Sequence, residues 1–181
     1  MGFTPMEGLI MGTRSGSVDP GLLIHLMREH GFDADRLDRA LNHESGLLGV
    51  SGISSDMREV VEAISQSDDA RLAIDVYVHR LRRTIGAMAA ALDGVDALVF
   101  TAGVGENASE IRRRGCRNLG FLGVELDQHA NVACKPDADL ATKTSEARVL
   151  VIATREDLTI VREVRRACSR KCPRRTARTL R

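Results

Sequence analysis

The sequence is short of aromatic residues, with no Trp, one Tyr and four Phe among its 181 residues. It contains no run of about 18 apolar residues and no basic-then-apolar leader, so nothing in it indicates membrane insertion or secretion. We therefore expect a cytoplasmic protein. Four cysteines are present but no CxxC pair, which argues against a structural zinc site, and we expect reduced thiols.

The net charge of +1 hides an uneven distribution. Residues 166–181 hold seven of the 26 Lys and Arg residues and none of the 25 Asp and Glu residues, which leaves a net charge of −6 on residues 1–165. The chain is long enough for one domain with a hydrophobic core, and we place that domain at residues 1–165. Residues 166–181 are predicted to be a disordered basic tail, because they have little to bury. Because the tail has no aromatic residues, we favour a solvent-exposed tail over one that binds nucleic acid.

A buried-strand pattern followed by a glycine turn and a helix start occupies residues 96–112 (DALVFTAGVGENASEIR). The apolar residues Val95 and 97–100 show no period-2 alternation with polar residues, which predicts a strand buried on both faces. Asn107 is predicted to cap the next helix, with Glu110 completing a capping box. The free N–H groups at such a helix start suit a nucleotide phosphate. The turn is neither GxGxxG nor a P-loop, and α/β proteins of many kinds contain such a unit.

Two other loops present polar residues suited to a nucleotide. Arg14 lies between Gly12 and Gly16 in the long first loop, where its guanidinium could grip phosphate oxygens or simply lie at the surface. Ser54-Ser55-Asp56 predicts a helix start within the second loop, residues 44–60. There Asp56 could bind ribose hydroxyls and Arg58 could stack on a base, or the two could serve as a cap and a surface charge.

The remaining patterns predict an α/β fold. Helices are expected from Asp19-Pro20 to Gly31, over 33–42 and over 68–92. Further strands are expected at 121–126 and 148–153, followed by a last helix capped by Thr154. Acidic residues such as Glu156, where a strand of an open sheet leads into a helix, are also where Mg²⁺ can bind.

Five blocks together, in order and at consistent spacing, resemble the C-terminal half of the acetate kinases, the acetokinase family of the actin-like ATPase superfamily. These blocks are MGFTPMEGLIMGTRSG, ESGLLGVSGISSDMREV, GVDALVFTAGVGENASEIR, LGFLGVELD and VLVIATREDLTIVRE. The resemblance runs from Met1 to about Arg166. It implies one domain of that fold, a ribonuclease H-like sheet flanked by helices, with ATP or ADP and Mg²⁺ as cofactors.

The resemblance also implies roles for individual residues. Arg14 matches the arginine that stabilises the phosphoryl group during transfer, and Glu156 matches a Mg²⁺-associated glutamate. The nucleotide-contacting positions fall in two segments: Asp56, Met57 and Arg58, and Gly103, Val104, Gly105, Glu106 and Asn107. The implied reaction is reversible transfer of the ATP γ-phosphoryl group to acetate, giving acetyl phosphate. A homodimer formed through this domain is also implied.

Some positions depart from the family pattern. Ser17 stands where an aspartate is usual, and Ala102 replaces a glycine. The segments that supply the family's N-terminal half do not occur in this sequence, so we expect an incomplete kinase. Whether this chain is active by itself is open to test. Alternatives are an inactive remnant serving as a dimerisation module, the corresponding half of a propionate or butyrate kinase, and a nucleic-acid binder acting through the basic tail.

Overall fold

The structure, a computed structural model, describes residues 2–170, and for Arg170 the backbone alone. Within these residues nine α-helices and three strands follow in order: α1 Pro20–His30, α2 Ala34–His43, α3 Gly46–Ser51, α4 Met57–Glu62, α5 Asp68–Ala91, β1 Ala97–Phe100, α6 Ala102–Asn107, α7 Ser109–Cys116, α8 Gln128–Val132, β2 Ala138–Asp139, β3 Arg148–Val151 and α9 Glu156–Arg170. Short 3-10 turns occur at Ala63–Ser65 and Gly120–Leu122. The predicted α/β class is confirmed.

Helix ends follow the capping residues of the sequence. The Asp19 carboxylate accepts a hydrogen bond from the backbone N–H of Gly21 at the start of α1, and Pro20 occupies the first helical position. Gly31 ends α1 in the left-handed conformation, with φ of 67°. The Ser67 hydroxyl accepts from the N–H of Ala70 and so begins α5, the long helix predicted over 68–92.

The sheet has three strands in the order β1-β3-β2, with β1 parallel and β2 antiparallel to β3. The central strand is therefore β3, whose Val149 and Val151 are fully buried. The prediction that β1 is buried on both faces is wrong. Within residues 2–170, β1 is an edge strand with one neighbour, and Val99 is 47% exposed while Phe100 is buried.

Two hydrophobic clusters form the core. One joins α3, α4, α5 and α7 and includes Ile10 from the first loop; the other lies around the sheet and includes Phe100, Val149 and Val151. Leu81 of α5 packs against both clusters, so the long helix links the two.

The first loop is held by backbone hydrogen bonds to the start of α3. Leu47 N donates to Met11 O at 2.8 Å, and Ser45 N donates to Thr13 O at 3.0 Å. Gly46 has a φ of 68°, and a Cβ there would lie 2.3 Å from Met11 O. The loop therefore needs glycine at position 46 to reach α3 this closely.

Three segments differ from prediction. The strand expected at 121–126 is absent; a 3-10 turn and isolated bridges at Val124 and Leu126 replace it. Glycine at 120 and 123 favours a turn over continuous pairing, and Gly123 adopts a φ of 72°. The predicted loop 44–60 contains α3 ahead of the expected helix start at α4, and the polar segment 128–146 contains α8 and β2.

The last helix extends through Arg170, so the proposed boundary at residue 165 falls inside α9. Residues 171–181, which include most of the predicted basic tail, lie outside the described residues. No helix among residues 2–170 is long and apolar enough to cross a membrane.

Candidate nucleotide site

A cavity of about 800 Å³ lies where the first loop, α4, α5 and α6 meet. It is lined by Leu9, Ile10, Met11, Gly12, Leu47, Ser55, Asp56, Met57, Arg58, Tyr77, Gly103, Val104, Asn107 and Ala108. Six of the eight predicted nucleotide-contacting residues thus line one cavity, although about 45 residues separate the two segments. A largely apolar cavity of this size with a few polar groups is typical of a small-molecule site.

Asp56 and Arg58 form an ion pair on the wall of this cavity. The Asp56 carboxylate caps α4 by accepting the backbone N–H of Arg58 at 2.8 Å. It also receives the guanidinium of Arg58, with Nη2 to Oδ2 at 2.6 Å. The side-chain hydrogen bond from Arg58 and then the backbone one lower the pKa of Asp56 to about 2. The carboxylate is therefore ionised at neutral pH and holds Arg58 at the cavity mouth, where the arginine side chain is 80% exposed.

The predicted glycine turn at 103–107 is a short helix, α6, which begins directly after β1. Gly103 faces open space, because a Cβ there would meet nothing within 4 Å. Gly105 instead packs against β1, since its Cβ would lie 3.2 Å from the Phe100 carbonyl carbon. One glycine keeps the cavity open and the other allows the helix to approach the sheet.

Asn107 ends α6, so its predicted role as a helix cap is wrong. Its side-chain Nδ2 donates to the Gly103 carbonyl at 2.9 Å, and α7 begins at Ser109 with no side-chain cap. Glu110 does not complete a capping box; it accepts hydrogen bonds from Arg113 and Arg114 on its own helix. The Glu110 carboxylate therefore pairs with arginines three and four residues later rather than capping the helix.

Glu106 points away from the cavity and joins α6 to the segment before α9. Its Oε1 accepts the backbone N–H of Thr154 at 2.7 Å, and this hydrogen bond is the main cause of the lowered pKa of Glu106. Thr154 Oγ1 in turn accepts from Ala102 N at 2.8 Å and lies 2.8 Å from Thr101 Oγ1. Thr154 was predicted to cap α9, but its hydroxyl serves the start of α6 instead.

Arg112 is a buried arginine that the sequence reasoning missed. It is 2% exposed, and its guanidinium donates to Gly105 O and Glu106 O at 2.8 Å each, at the C-terminal end of α6. It also donates to the side-chain and backbone oxygens of Asn131 in α8. Burial lowers the pKa of Arg112, yet a cation at a helix C-terminus is favourably placed. The sequence did hold one signal of its burial: Arg112 is four residues before the buried Cys116 and so lies on the same face of α7.

Arg14 lies in a smaller cavity of about 330 Å³ next to the first. The two cavities share Met11, Gly12 and Ser55. Among the described residues, the Arg14 side chain forms no ion pair, so its guanidinium is available to a ligand. Arg14 therefore lies beside the larger cavity rather than in it. We call the larger one the nucleotide cavity, after the lining residues that were predicted to contact a nucleotide.

Glu156 is the first residue of α9, is exposed and does not line the larger cavity. It follows Thr154, which contacts α6, so the start of α9 lies close to the segment 101–106. Within residues 2–170 no group of three or more His, Cys, Asp or Glu could hold a metal ion. Mg²⁺ commonly takes one or two carboxylates together with substrate phosphates and water, so a single glutamate is compatible with it.

The structure therefore belongs to the class of α/β domains with a small-molecule cavity between two loop–helix segments. The model of the acetokinase family matches residues 1–162, and the chain belongs to that family. It is 59% identical over 164 residues to the acetate kinase of Gloeobacter violaceus and 55% identical over 164 residues to that of Rippkaea orientalis, covering 90% of this chain in each case. It spans only about 40% of the length of these curated relatives.

Solved structures agree with this assignment. The acetate kinase of Porphyromonas gingivalis superposes with a TM-score of 0.87 at 41% identity, over 93% of this chain and 43% of that one. A propionate kinase from Francisella tularensis gives a TM-score of 0.83 at 38% identity, over 90% of this chain and 42% of that one. The predicted family and fold are thereby confirmed.

Proposed function

We propose that this chain supplies the nucleotide side of an acetokinase, which transfers the γ-phosphoryl group of ATP reversibly to acetate and gives acetyl phosphate and ADP. The observation that carries the proposal is the cavity of about 800 Å³ that unites residues 55–58 with Gly103, Val104 and Asn107. Family membership and the names of the relatives support the same chemistry. Phosphoryl transfer depends mainly on alignment and charge stabilisation, which a preformed cavity can provide.

In this proposal the two loop–helix segments hold the adenosine. Asp56, fixed as a carboxylate, offers hydrogen-bond acceptors to ribose hydroxyls, and Arg58 presents a planar face to the base. Gly103 leaves room for the ligand, and the Asn107 amide is tied to Gly103 O and so held in one orientation. Gly105 and Glu106 act less directly, by fixing α6 against β1 and against Thr154.

Arg14 and Glu156 act on the phosphates. The guanidinium of Arg14 is a fork suited to the equatorial oxygens of the phosphoryl group, whose negative charge it would stabilise during transfer. Glu156 would hold Mg²⁺ together with nucleotide phosphates, and the metal would neutralise charge on their oxygens. Arg112 holds α6 in place from below the site and touches no substrate.

Binding of ATP by the chain tests the nucleotide site. Gly103→Val places a branched side chain where a Cβ meets nothing, and we expect it to fill the cavity and weaken ATP binding at least about tenfold in calorimetry. Gly86→Val is the matched control: Gly86 also lies in a helix with nothing within 4 Å of its Cβ, but it does not line the cavity. Equal affinities for the two variants would contradict the proposed site.

Turnover measurements test the proposed phosphoryl transfer and identify which carboxylic acid accepts the phosphoryl group. We expect acetyl phosphate, trapped as acetyl hydroxamate, to form from ATP, Mg²⁺ and acetate in a preparation containing this chain together with the segments found in its longer relatives. Propionate and butyrate as competing acceptors decide between acetate kinase and the related acyl kinases. ATP binding without turnover on any acid would leave the nucleotide site intact and refute the reaction.

A role in self-association is the second candidate. The last helix, α9, exposes several apolar residues: Leu158, Ile160, Val161 and Val164. Such an apolar face is a common feature of interfaces, and it favours the homodimer that the family resemblance implies. Light scattering after size-exclusion chromatography should give twice the monomer mass, and Val161→Glu should return the monomer.

We also propose the cytoplasm as the location of this protein.

A further inference from the structure

A second cavity, of about 360 Å³, lies between α5 and α7 and shares no lining residue with the nucleotide cavity. Its lining is dominated by basic side chains: His79, Arg82, Arg113, Arg114 and Arg117. We call this cavity the arginine groove. Nothing in the proposed phosphoryl transfer uses it.

Helical spacing places these residues together. On α5, positions 75, 78, 79 and 82 share one face. On the other side of the cavity, Arg113 and Arg114 lie in the last turn of α7 and Arg117 directly follows that helix. The two helices approach closely at Gly115, where a Cβ would lie 3.1 Å from Leu81 Cδ2. A Cβ at 115 would press on this leucine methyl group, so the glycine favours the close approach of α5 and α7 that brings the cations into one groove.

Part of the positive charge in the groove is already neutralised. Glu110 accepts hydrogen bonds from Arg113 Nη2 and Arg114 Nε, both at 2.6 Å, and Asp75 accepts from Arg114 Nη1 at 2.8 Å. These contacts fix the two guanidinium groups in place. Each arginine retains further N–H groups that are free to bind a ligand.

Two arginines of the groove, Arg82 and Arg117, have no acidic partner among the residues whose side chains the structure describes. The Nε of Arg82 is buried and has no hydrogen-bond acceptor among the described residues, which is costly for a charged donor. Arg117 forms no ion pair within residues 2–169. Four arginines face two carboxylates, Asp75 and Glu110, so the groove carries a net charge of about +2 when His79 is neutral.

We propose that the arginine groove binds a small phosphate-bearing anion with at least two negative charges. Arginine forks fit the oxygens of phosphate better than they fit most other groups, and Arg82 and Arg117 bring to the groove positive charge that no acidic residue among residues 2–169 neutralises. The volume of the groove admits inorganic phosphate or pyrophosphate. Binding there would link α5 to α7, and hence stabilise the helix pair that supports both core clusters.

Pyrophosphate binding to the whole chain tests this site. We expect calorimetry at constant ionic strength to give one binding event, and Arg82→Met and Arg117→Met to weaken it at least about tenfold each, because each loses charged hydrogen bonds while keeping an apolar stem. Arg39→Met, an exposed arginine on α2, is the matched control and should bind normally. Circular dichroism checks that each variant is folded, and Arg117, being exposed, carries the test if Arg82→Met unfolds.

The competing outcomes are distinct. Loss of pyrophosphate binding in Arg58→Met but not in the groove variants would assign the anion to the nucleotide cavity and overturn the proposal. Equal binding of sulfate or citrate at the same ionic strength would show a response to charge alone, and would overturn the preference for phosphate. Failure of ATP binding with pyrophosphate binding intact would refute the proposed function and leave this inference standing.

Discussion

Removing the buried guanidinium of Arg112 is the most direct test of how the nucleotide site is supported. In Arg112→Met the apolar stem remains, but four hydrogen bonds of 2.8 to 2.9 Å are lost. The carbonyls of Gly105 and Glu106 and both oxygens of Asn131 lose a charged donor. Because a buried arginine also has a desolvation cost that the variant avoids, the net loss is smaller than the sum of four hydrogen bonds.

We expect Arg112→Met to lower the free energy of unfolding by about 3 to 5 kcal/mol, because each hydrogen bond to a charged group contributes about 1.5 to 3 kcal/mol and the avoided desolvation of the guanidinium offsets part of the sum. That is a large share of the total of about 5 to 15 kcal/mol usual for a domain. Urea unfolding followed by circular dichroism measures it. Arg112→Lys should recover less than half of the loss, since an ammonium cannot bridge two carbonyls and Asn131 together.

The neighbouring Arg113 provides the control. Its side chain is 45% exposed and its partner is the surface Glu110, so Arg113→Met should lower the stability by no more than about 1 kcal/mol. ATP affinity should fall in the Arg112 variant, because α6 loses its anchor, and stay constant in the Arg113 variant. Equal and small losses of stability in both variants would refute the claim that Arg112 holds α6 in place.

Two further predictions concern the walls of the site. Gly46→Ala should destabilise the fold by about 2 to 4 kcal/mol, because position 46 has a φ of 68° and no room for a Cβ, whereas Gly86→Ala should stabilise it by up to about 1 kcal/mol in the same urea titrations. Opposite ranking of the two alanines would contradict the docking of the first loop on α3. The Asp56 carboxyl should titrate near pH 2 by carbon NMR. In Arg58→Met its pKa should rise toward the ordinary 3.8 without reaching it, because the backbone N–H of residue 58 still donates to the carboxylate. Its folded-state pKa is depressed, so its contribution to stability is present above about pH 4 and is lost as the pH falls through 2; a wild-type midpoint near 3.8 would show that the ion pair does not form.

Local sequence signals were sufficient for most helices. Asp19-Pro20 and Gly31 bound α1, Ser67 begins α5 and Asp56 caps α4, because capping depends on residues only two or three positions apart. The two segments that the family resemblance assigns to the nucleotide, residues 56–58 and 103–107, were likewise found one by one. Their meeting in a single cavity could not be derived from either segment.

Pairing along the sheet was harder to predict. Residues 121–126 have the composition of a strand, but two glycines and the path of the chain leave isolated bridges there. The two residues of β2 carry no strand pattern and pair because β3 lies beside them. Strand formation depends on neighbours distant in sequence, so composition alone misassigned both segments.

The sequence by itself determined the boundaries of α1, α2 and α5, the start of α4, the two strands β1 and β3, the family and the residue types at the candidate site. The tertiary structure alone decided which of those residues share a cavity, that β1 is an edge strand, that Glu106 and Thr154 join α6 to the start of α9, and that Arg112 is buried beneath α6. The physical reason is that caps and helical periodicity act over a few residues. Burial, ion pairing and cavity shape depend instead on groups that only folding brings together.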